Sequence, residues 1–282
     1  MTLELQPLHG IGAAVRGVDI AKPLDAQTAE MLGRAWAEHL ILVFPGQTLD
    51  DAAQIRFAGA FGKLGERSRP AERRPEGADY NGAIMLVSNI RRNGVPIGSL
   101  PDGEMWFHHD MCYVEKPHRG TFLYAIEVPS TGGNTKFANM CRAYDSLPQR
   151  LKDKIRGRRA LHVYDYGTAE KIDIEKRGLD GVRHHWHPVA IRHPVNGRMA
   201  LYVNRLMTVR IEGLPREESD AVLLELFDCA ENPANVYEHA WTPRDLIMWD
   251  NYASMHARTD FPASERRLLR RCTIEGGYTP AA

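Results

Sequence analysis

The chain has 282 residues, of which 43% are hydrophobic and 26% are charged, as in an ordinary globular protein. Its 36 lysines and arginines balance 36 aspartates and glutamates, so its charge does not favour a general binder of nucleic acids or anionic membranes. No apolar run approaches the ~18 residues of a membrane span, and the first residues do not resemble a secretion signal. Four cysteines without a close pair argue against a disulfide framework and favour a reducing cytoplasm.

Most of the predicted elements are short strands, with a few helices between them. Asp25 is placed to cap a first helix that runs to His39, and the apolar run over 40–44 is predicted to be a buried strand because Pro45 and Gly46 stop it. Further helices are predicted over 49–61, 146–158 and 217–229. Further strands are predicted over 84–87, 121–128, 134–139, 189–193, 199–204, 208–211 and 267–274. Many short strands with few helices favour a β-sandwich or barrel with helical decoration.

Two stretches of the chain have no clean hydrophobic period. Residues 65–82 are polar and rich in arginine, and residues 165–183 are charged and irregular. The first is predicted to be a loop, which is either simply solvated or a lid over an anionic substrate, and the second is predicted to be an insertion or a lid. No repeat or linker divides the chain, so residues 1–282 are predicted to form one domain.

A possible metal site begins with the motif His108-x-Asp110. On a strand these two side chains project to the same side, where a neutral imidazole and a carboxylate bind one divalent cation together. His256 lies far downstream and is a plausible third ligand. Two histidines and one carboxylate form the facial triad of non-haem Fe(II) oxygenases, which leaves metal positions open for substrates and O2. Either motif alone is weak, because single histidines and His-x-Asp pairs are common.

Two arginines after His256 strengthen this interpretation. Arg267 lies eleven residues after His256, and Arg271 lies four residues after that. Positions four apart share a face of a strand, so both guanidinium groups are predicted to point into one barrel. Each offers a planar fork for a carboxylate or sulfonate.

Several segments together resemble the taurine dioxygenase-like (TauD/TfdA) family of Fe(II)- and 2-oxoglutarate-dependent dioxygenases. They span nearly the whole chain in the family's order, which is much more specific than any single motif. The matching segments are Val18-Asp19-Ile20, Val43-Phe44-Pro45-Gly46-Gln47, Phe61-Gly62-Lys63-Leu64, 106–110, Gly132-Gly133-Asn134-Thr135, Leu201-Tyr202-Val203-Asn204 and 249–271.

This resemblance implies a mainly β fold with flanking helices and a double-stranded β-helix (jelly-roll, cupin-like) core. It implies Fe(II) as the metal, with His108, Asp110 and His256 as its ligands, and 2-oxoglutarate and O2 as cosubstrates. The implied reaction hydroxylates a small-molecule anionic substrate while 2-oxoglutarate becomes succinate and CO2. Fragmentation of the hydroxylated product is left open. The resemblance also implies a homodimer or homotetramer, while the balanced charge and the lack of a long apolar run predict no nucleic-acid or membrane partner.

By motif position, the resemblance also assigns the residues around the cosubstrate. Thr135 and Arg267 would hold the far carboxylate of 2-oxoglutarate. Arg271 lies where the family's second arginine is found, near the anionic group of the substrate or near the cosubstrate.

The chain departs from the family pattern at positions that bear on the substrate. In taurine-specific enzymes a histidine in the loop after the Phe-Gly-x-Leu stretch helps to hold the sulfonate, but the loop from Gly65 to Pro70 contains none. His109 stands where a small hydroxyl residue is frequent, and it is predicted to be structural and to face away from the metal. Met111 is predicted to line an apolar part of the pocket. With the arginines, these features favour an aryloxyalkanoate, or an alkyl sulfonate or sulfate ester, over taurine.

Three other functions are weighed against this one. A metal hydrolase could use the cluster His184-His185-Trp186-His187, although this stretch also resembles the family's ordinary entry into a strand. A jelly-roll binding protein that has lost catalysis is disfavoured by the intact triad. Related iron sites halogenate where the carboxylate ligand is replaced, and here Asp110 is present.

The residues beside the two metal motifs are predicted to be mainly structural. Asp250 and Asn251 are expected to form structural hydrogen bonds, with support of the metal ligands as the alternative. Trp106 and Trp249 are expected to pack rather than to contact the substrate.

Overall fold

The computed structural model of the chain describes residues 3–66, 82–100, 103–164, 176 and 178–282. Most of the two predicted lids, over 65–82 and 165–183, therefore lies outside the described residues. The described chain is mainly β, as predicted, with a few helices at the periphery. None of its helices combines the length and apolarity that crossing a bilayer requires.

Eighteen strands occur in the described residues. In chain order they are β1 (Glu4–Pro7), β2 (Ala13–Arg16), β3 (Ile41–Phe44), β4 (Met85–Ser88), β5 (Arg91–Arg92), β6 (Val95–Pro96), β7 (Met105–His108), β8 (Gly120–Glu127), β9 (Thr135–Asn139), β10 (Arg159–Val163), β11 (His184–Pro188), β12 (Ala190–Arg192), β13 (Met199–Leu201), β14 (Thr208–Ile211), β15 (Val236–His239), β16 (Leu246–Asp250), β17 (Ser254–Arg258) and β18 (Leu268–Ile274).

Two sheets build the core of the fold. The large sheet has seven strands in the order β1-β2-β3-β16-β8-β18-β4, and the small sheet has four in the order β15-β9-β17-β7. Neighbouring strands in both sheets are antiparallel except for the parallel pair β2 and β3. The remaining strands form a three-stranded sheet, β11-β10-β14, and two hairpins, β12-β13 and β5-β6.

Five α-helices flank the sheets in the described residues. They are α1 (Ala26–His39), α2 (Asp51–Gly59), α3 (Met140–Ser146), α4 (Gln149–Ile155) and α5 (Arg216–Ala230). The predicted cap of α1 is confirmed, because the Asp25 carboxylate accepts a hydrogen bond from the Thr28 amide at 2.7 Å. Asp50 caps α2 in the same way through the Ala53 amide, at 2.7 Å.

The central strands of the large sheet are buried on both faces. In β16, Ile247 and Trp249 belong to the core that includes side chains of the small sheet, whereas Leu246 and Met248 belong to a second core that includes side chains of α1 and α2. Alternate side chains of a strand point to opposite faces, so a strand with two covered faces reads as a continuous apolar run. This explains why the apolar run over 40–44, which contains β3, was recognisable in the sequence.

The helix predicted over 146–158 is wrong in its bounds. A helix, α3, already ends at Ser146, and a second one, α4, starts at Gln149 after Pro148. The Asn139 side chain caps α3 by accepting a hydrogen bond from the Arg142 amide at 3.0 Å. The predicted range therefore covers α4 with a few extra residues at each end, and it misses α3.

Candidate active site

The three predicted metal ligands come from the small sheet and from the turn that follows β7, and they lie close together. His108 is the last residue of β7, Asp110 follows in the next turn, and His256 lies in β17 directly opposite His108 in the strand register. One ligand atom from each of the three residues lies within 4.8 Å of the other two. The Nε2 atoms of His108 and His256 are 3.9 and 4.0 Å from the Asp110 carboxylate oxygens.

Asp110 reaches the site in a different way from the one that the sequence predicted. Strand β7 ends at His108, so Asp110 is not the strand residue that the alternation of side chains assumed. Met111, which follows it, has a φ of 57°, a left-handed conformation that is uncommon for residues other than glycine. The turn, rather than strand periodicity, places the carboxylate beside His108.

The two imidazoles are held as neutral ligands. Nδ1 of His108 lies 2.9 Å from the Trp106 carbonyl oxygen; as its proton donor there, Nδ1 leaves the lone pair of Nε2 for a metal ion. Burial lowers the pKa of His108 and holds that of His256 well below its ordinary value, although the Asp110 charge opposes both shifts. Unprotonated imidazoles are the form that binds metals.

A chain of hydrogen bonds orients the Asp110 carboxylate. The Asn251 amide donates to the Thr121 hydroxyl at 3.1 Å, and that hydroxyl donates to Asp110 Oδ2 at 3.0 Å. The Trp249 indole donates to the Asn251 carbonyl at 2.8 Å, which sets the orientation of the amide. Arg271 also donates to Oδ2, at 2.8 Å. Both bonds fall on Oδ2, so Oδ1 is left for a metal ion.

The charge of Asp110 suits the same role. Burial alone would raise the pKa of this carboxyl, but Arg271 and the neighbouring imidazoles outweigh burial and hold the pKa well below its usual range. A buried carboxylate beside two neutral imidazoles is a donor set that fits a divalent transition metal such as Fe(II). In the described residues, these three side chains are the only group of this kind that the fold assembles.

A second polar region of the site surrounds Arg267. Its side chain is only 2% exposed, and its Nε donates to the Gly133 carbonyl at 3.3 Å. Nη1 is buried without a hydrogen-bond partner among the described residues. Burial, and next the charge of Arg258, lower the pKa of Arg267 to about 9, so the group is still a cation at pH 7. A buried cation with an unsatisfied donor indicates a place for an anion.

Thr135 lies on the same cavity as Arg267. Its hydroxyl accepts a hydrogen bond from the Trp241 indole at 2.9 Å. Because that bond uses a lone pair, the hydroxyl proton is left to be donated to another acceptor. Thr135 and Arg267 can therefore both donate to one carboxylate.

A cavity of about 540 Å³ lies between the large and small sheets and joins these groups. All seven predicted site residues line it: His108, Asp110, Met111, Thr135, His256, Arg267 and Arg271. Much of the remaining wall is apolar and includes Met85, Val87, Leu100, Met105 and Leu123. At another part of the wall, the Arg183 guanidinium lies over the ring of Tyr113, 4.8 Å from its centroid. The cavity can thus hold an organic anion with an apolar body.

The other histidine cluster does not assemble into a metal site within the described chain. Nδ1 of His184 lies 2.8 Å from the Val182 carbonyl, and Nε2 of His187 lies 2.8 Å from the Val114 carbonyl. His109 packs on Tyr202, with ring centroids 4.5 Å apart, and does not line the cavity. Its position matches the prediction that it faces away from the metal site.

The four residues beside the metal motifs that were predicted to be mainly structural lie in different surroundings. Trp106 is 43% exposed and does not line the cavity. Trp249 is buried and lines the cavity next to His256, with ring centroids 4.7 Å apart. Asp250 has a structural role, because its carboxylate accepts hydrogen bonds from the Tyr252 and Ala253 amides at 2.9 and 3.0 Å. Asn251 instead supports the metal ligands through Thr121.

Sequence reasoning did not find Thr121, Trp241 or His118, although each lies at the site or supports one of its groups. Thr121 and Trp241 act through single hydrogen bonds to residues 11 and 106 positions away. No spacing rule connects such pairs. Only the tertiary fold brings them together.

Comparison with known proteins places this site in a family. The chain matches the model of the taurine catabolism dioxygenase TauD, TfdA family over residues 4–273. It is 34% identical to pentalenolactone F synthase from Streptomyces avermitilis, over 96% of this chain and 93% of that one. It is 32% identical to (S)-phenoxypropionate/alpha-ketoglutarate-dioxygenase from Sphingobium herbicidovorans, over 97% and 95% of the two chains.

A solved structure extends the likeness to three dimensions. The crystal structure of AAD-2 in complex with Mn(II) and N-oxalylglycine superimposes with a TM-score of 0.81 at 29% identity, covering 100% of both chains. The predicted jelly-roll core is thereby confirmed. The chain belongs to the TauD/TfdA family of dioxygenases. It is an oxidoreductase of the class that uses Fe(II), 2-oxoglutarate and O2.

Proposed function

We propose that this chain hydroxylates a small aryloxyalkanoate acid, with His108, Asp110 and His256 binding Fe(II). The observation that carries the proposal is the convergence of these three ligand atoms within 4.8 Å of one another on a cavity that also holds Arg267 and Arg271. A metal site and two guanidinium groups on one cavity suit a reaction between two organic anions.

Thr135 and Arg267 bind the far carboxylate of 2-oxoglutarate in this proposal. Arg267 is buried, cationic and short of one hydrogen-bond acceptor, and the Thr135 hydroxyl has a proton to donate. A carboxylate placed between them would satisfy both groups. When bound, Fe(II) with 2-oxoglutarate and O2 supplies the oxidant for a C–H bond, and 2-oxoglutarate leaves as succinate and CO2.

The protein's own contribution is position, charge and exclusion of water. The series of hydrogen bonds from Trp249 through Asn251 and Thr121 holds the Asp110 carboxylate in one orientation. Pre-set ligands lose little freedom when a metal binds. The apolar wall keeps water away from the reacting carbon.

The apolar wall and Arg271 support the substrate class. Five apolar side chains contact the same cavity as Arg271: Met85, Val87, Leu100, Met105 and Met111. An aryl group can pack against these side chains while the acid group pairs with the guanidinium. The relative from Sphingobium herbicidovorans is named for an acid of this kind. Alkyl sulfonates and sulfate esters present the same combination of an apolar body and an anionic group.

The rival functions receive less support. The ligand atoms of His184, His185 and His187 do not converge on a common point in the described chain, as a hydrolase site would require. A binding protein without catalysis does not require an oriented carboxylate between two neutral imidazoles. Asp110 occupies the position that a halide would need, so hydroxylation is preferred to halogenation.

The test is turnover of a panel of acids by the purified protein. With Fe(II), 2-oxoglutarate and O2, we expect (S)-2-phenoxypropionate, phenoxyacetate or hexyl sulfate to release succinate in proportion to substrate consumed. Neutral ethers and alcohols of the same size serve as matched controls. Turnover of the neutral compounds alone would refute the anionic substrate class. If Fe(II) and 2-oxoglutarate give neither a visible charge-transfer band without O2 nor succinate with O2, the proposal of an enzyme fails.

A cytoplasmic location and a dimer or tetramer complete the proposal. The four cysteines of the chain are free thiols, as expected in a reducing compartment. The oligomeric state rests on the family resemblance alone, and light scattering of the purified protein tests it.

A further inference from the structure

His118 lines the central cavity but belongs to none of the predicted motifs. Its side chain is 8% exposed, and its Nδ1 is buried without a hydrogen-bond partner among the described residues. A buried polar atom without a partner is costly and is uncommon unless a ligand or water completes it. The imidazole therefore needs a further explanation.

The surrounding chain holds His118 in place. The backbone amide of the next residue, Arg119, donates a hydrogen bond to the Ile274 carbonyl at 3.1 Å. The Arg119 carbonyl accepts a hydrogen bond from the backbone amide of Asn251 at 2.8 Å. The preceding residue, Pro117, accepts from the Tyr252 hydroxyl at 3.4 Å. Because the backbone is tied on both sides of His118, its imidazole is a fixed part of the cavity wall.

Gly65 makes room for this imidazole. A Cβ atom at position 65 would lie 2.8 Å from both Cε1 and Nε2 of His118, and 2.7 Å from the Thr273 hydroxyl oxygen. Real Cβ atoms do not come so close to their neighbours. The Gly65 amide also donates to the Thr273 carbonyl at 2.8 Å. The His118 imidazole thus occupies the space that a side chain at position 65 would take.

His118 and Arg271 line the same end of the cavity. Arg271 and Thr273 are two residues apart on β18, so they share one face, and both line the cavity with His118. At ~3.3 Å per strand residue, Arg267 lies about 13 Å along the chain from Arg271. The donors around Arg271 are therefore separate from the pair, Thr135 and Arg267, that is proposed to bind 2-oxoglutarate.

We propose that His118 binds the anionic group of the primary substrate, donating an imidazole N–H beside the Arg271 guanidinium and the Thr273 hydroxyl. This inference rests on the proposed function. Burial, and next the charge of Arg271, lower the pKa of His118, while Asp110 and Glu275 oppose the shift. The imidazole is neutral at pH 7 and contributes a directed hydrogen bond, whereas Arg271 contributes charge.

The experiment compares His118→Ala and His118→Asn with a matched control, His185→Ala, whose side chain does not line the cavity. The probe is (S)-2-phenoxypropionate, and 2-phenoxypropan-1-ol is its neutral counterpart. Binding is measured without O2 from the change in the visible band of Fe(II) and 2-oxoglutarate when the probe is added. KM and kcat are measured from succinate release. Circular dichroism and Tm establish that each variant is folded.

We expect His118→Ala to raise Kd and KM for the acid about tenfold or more, the usual loss for a hydrogen bond to a charged group. kcat, the KM for 2-oxoglutarate and the binding of the alcohol should stay within about twofold of the wild-type values. His118→Asn keeps an N–H donor and should recover part of the loss. His185→Ala should behave as the wild type.

Different outcomes overturn different statements. If the wild type uses the acid and His118→Ala binds it equally well, the role of His118 is refuted while the proposed function stands. Equal weakening for the acid and the alcohol would assign His118 to packing and would also refute the proposal. If the wild type neither binds nor consumes any acid, the proposed function fails, and the inference fails with it.

Discussion

The described structure contains two groups of buried histidines, and only one of them has a carboxylate beside it. The cavity pair, His108 and His256, has the Asp110 carboxylate within 4.0 Å of each Nε2. The interior trio, His109, His162 and His187, has no carboxylate at ion-pair distance among the described residues, and its members pack around Tyr202. Neighbours in sequence, His108 and His109, thus belong to different environments.

The difference shows what makes a histidine a metal ligand here. Burial lowers the pKa of His109 to about 3 and that of His187 to about 4, so both imidazoles are neutral at pH 7. The cavity pair is neutral as well. Neutral imidazole is therefore not sufficient, and the nearby carboxylate with an adjoining cavity is what defines the site.

The largest expected effect comes from removing that carboxylate. Asp110→Ala should abolish iron-dependent succinate release, because the cavity pair would then resemble the interior trio. Iron bound per chain and the visible band with 2-oxoglutarate should fall to background. His109→Leu, one residue away, is the control and should retain both. Wild-type iron content in Asp110→Ala would contradict the assignment of the ligands.

The second largest effect should come from removing the buried Arg267 guanidinium, which lies on the cavity as the cavity pair does. Arg267→Met should raise the Kd of 2-oxoglutarate about 100-fold, as expected for losing two hydrogen bonds between charged groups. It should also leave the Tm without cosubstrate unchanged or higher, since a buried cation that lacks an anionic partner is removed. Titration of the visible band and thermal unfolding measure the two effects. Arg266→Met, which removes an exposed partner of Glu127, is the control and should not change the Kd.

A smaller effect, on Fe(II) affinity, should follow from removing a hydrogen bond that orients the Asp110 carboxylate. Thr121→Val removes the hydroxyl that donates to Asp110, and outer partners of metal ligands are typically worth 10- to 100-fold in metal affinity. We expect about a tenfold loss of Fe(II) affinity in a competition titration. Thr208→Val removes the hydroxyl paired with His162 in the interior trio and should leave the affinity unchanged. Equal losses in both variants would show that the two histidine groups do not differ as described.

The last effect concerns the stability of the fold rather than metal or cosubstrate binding, namely its pH dependence without metal. The folded-state pKa values of His109 and His187 lie below the ordinary value of 6.5, so the unfolded chain takes up protons first as the pH falls. Stability should therefore be constant above about pH 7 and decrease from about pH 6.5 toward pH 4, by up to about 1.4 kcal/mol per pH unit for each histidine.

His109→Leu isolates one of these contributions. Its unfolding free energy, from urea denaturation in a chelator, should fall less steeply over the same pH range than that of the wild type, by up to about 1.4 kcal/mol per pH unit. At pH 7 it should be at least as stable as the wild type, because both nitrogens of His109 are buried without partners in the described structure. An unchanged slope would mean that His109 is protonated or exposed in the folded state.

Much of this protein could be predicted from the order of its residues. The buried strand over 40–44 and the capped helix after Asp25 follow from local patterns, which need no tertiary contact to recognise. The candidate residues His108, Asp110, His256 and Arg267 were found because their chemistry and order match a family. Each of these inferences uses information that is contained in the sequence itself.

Tertiary structure decided the rest, because hydrogen bonds and cavities join residues that no sequence period relates. The turn after β7, rather than the strand, places Asp110 beside His108. Asn251 reaches Asp110 only through Thr121, which is 130 residues away from Asn251 in the chain. His118 fills the space beside Gly65 because two distant segments pair with β18. The identities of the residues determine which chemistry is possible, and the packing of the two sheets determines which of these residues meet.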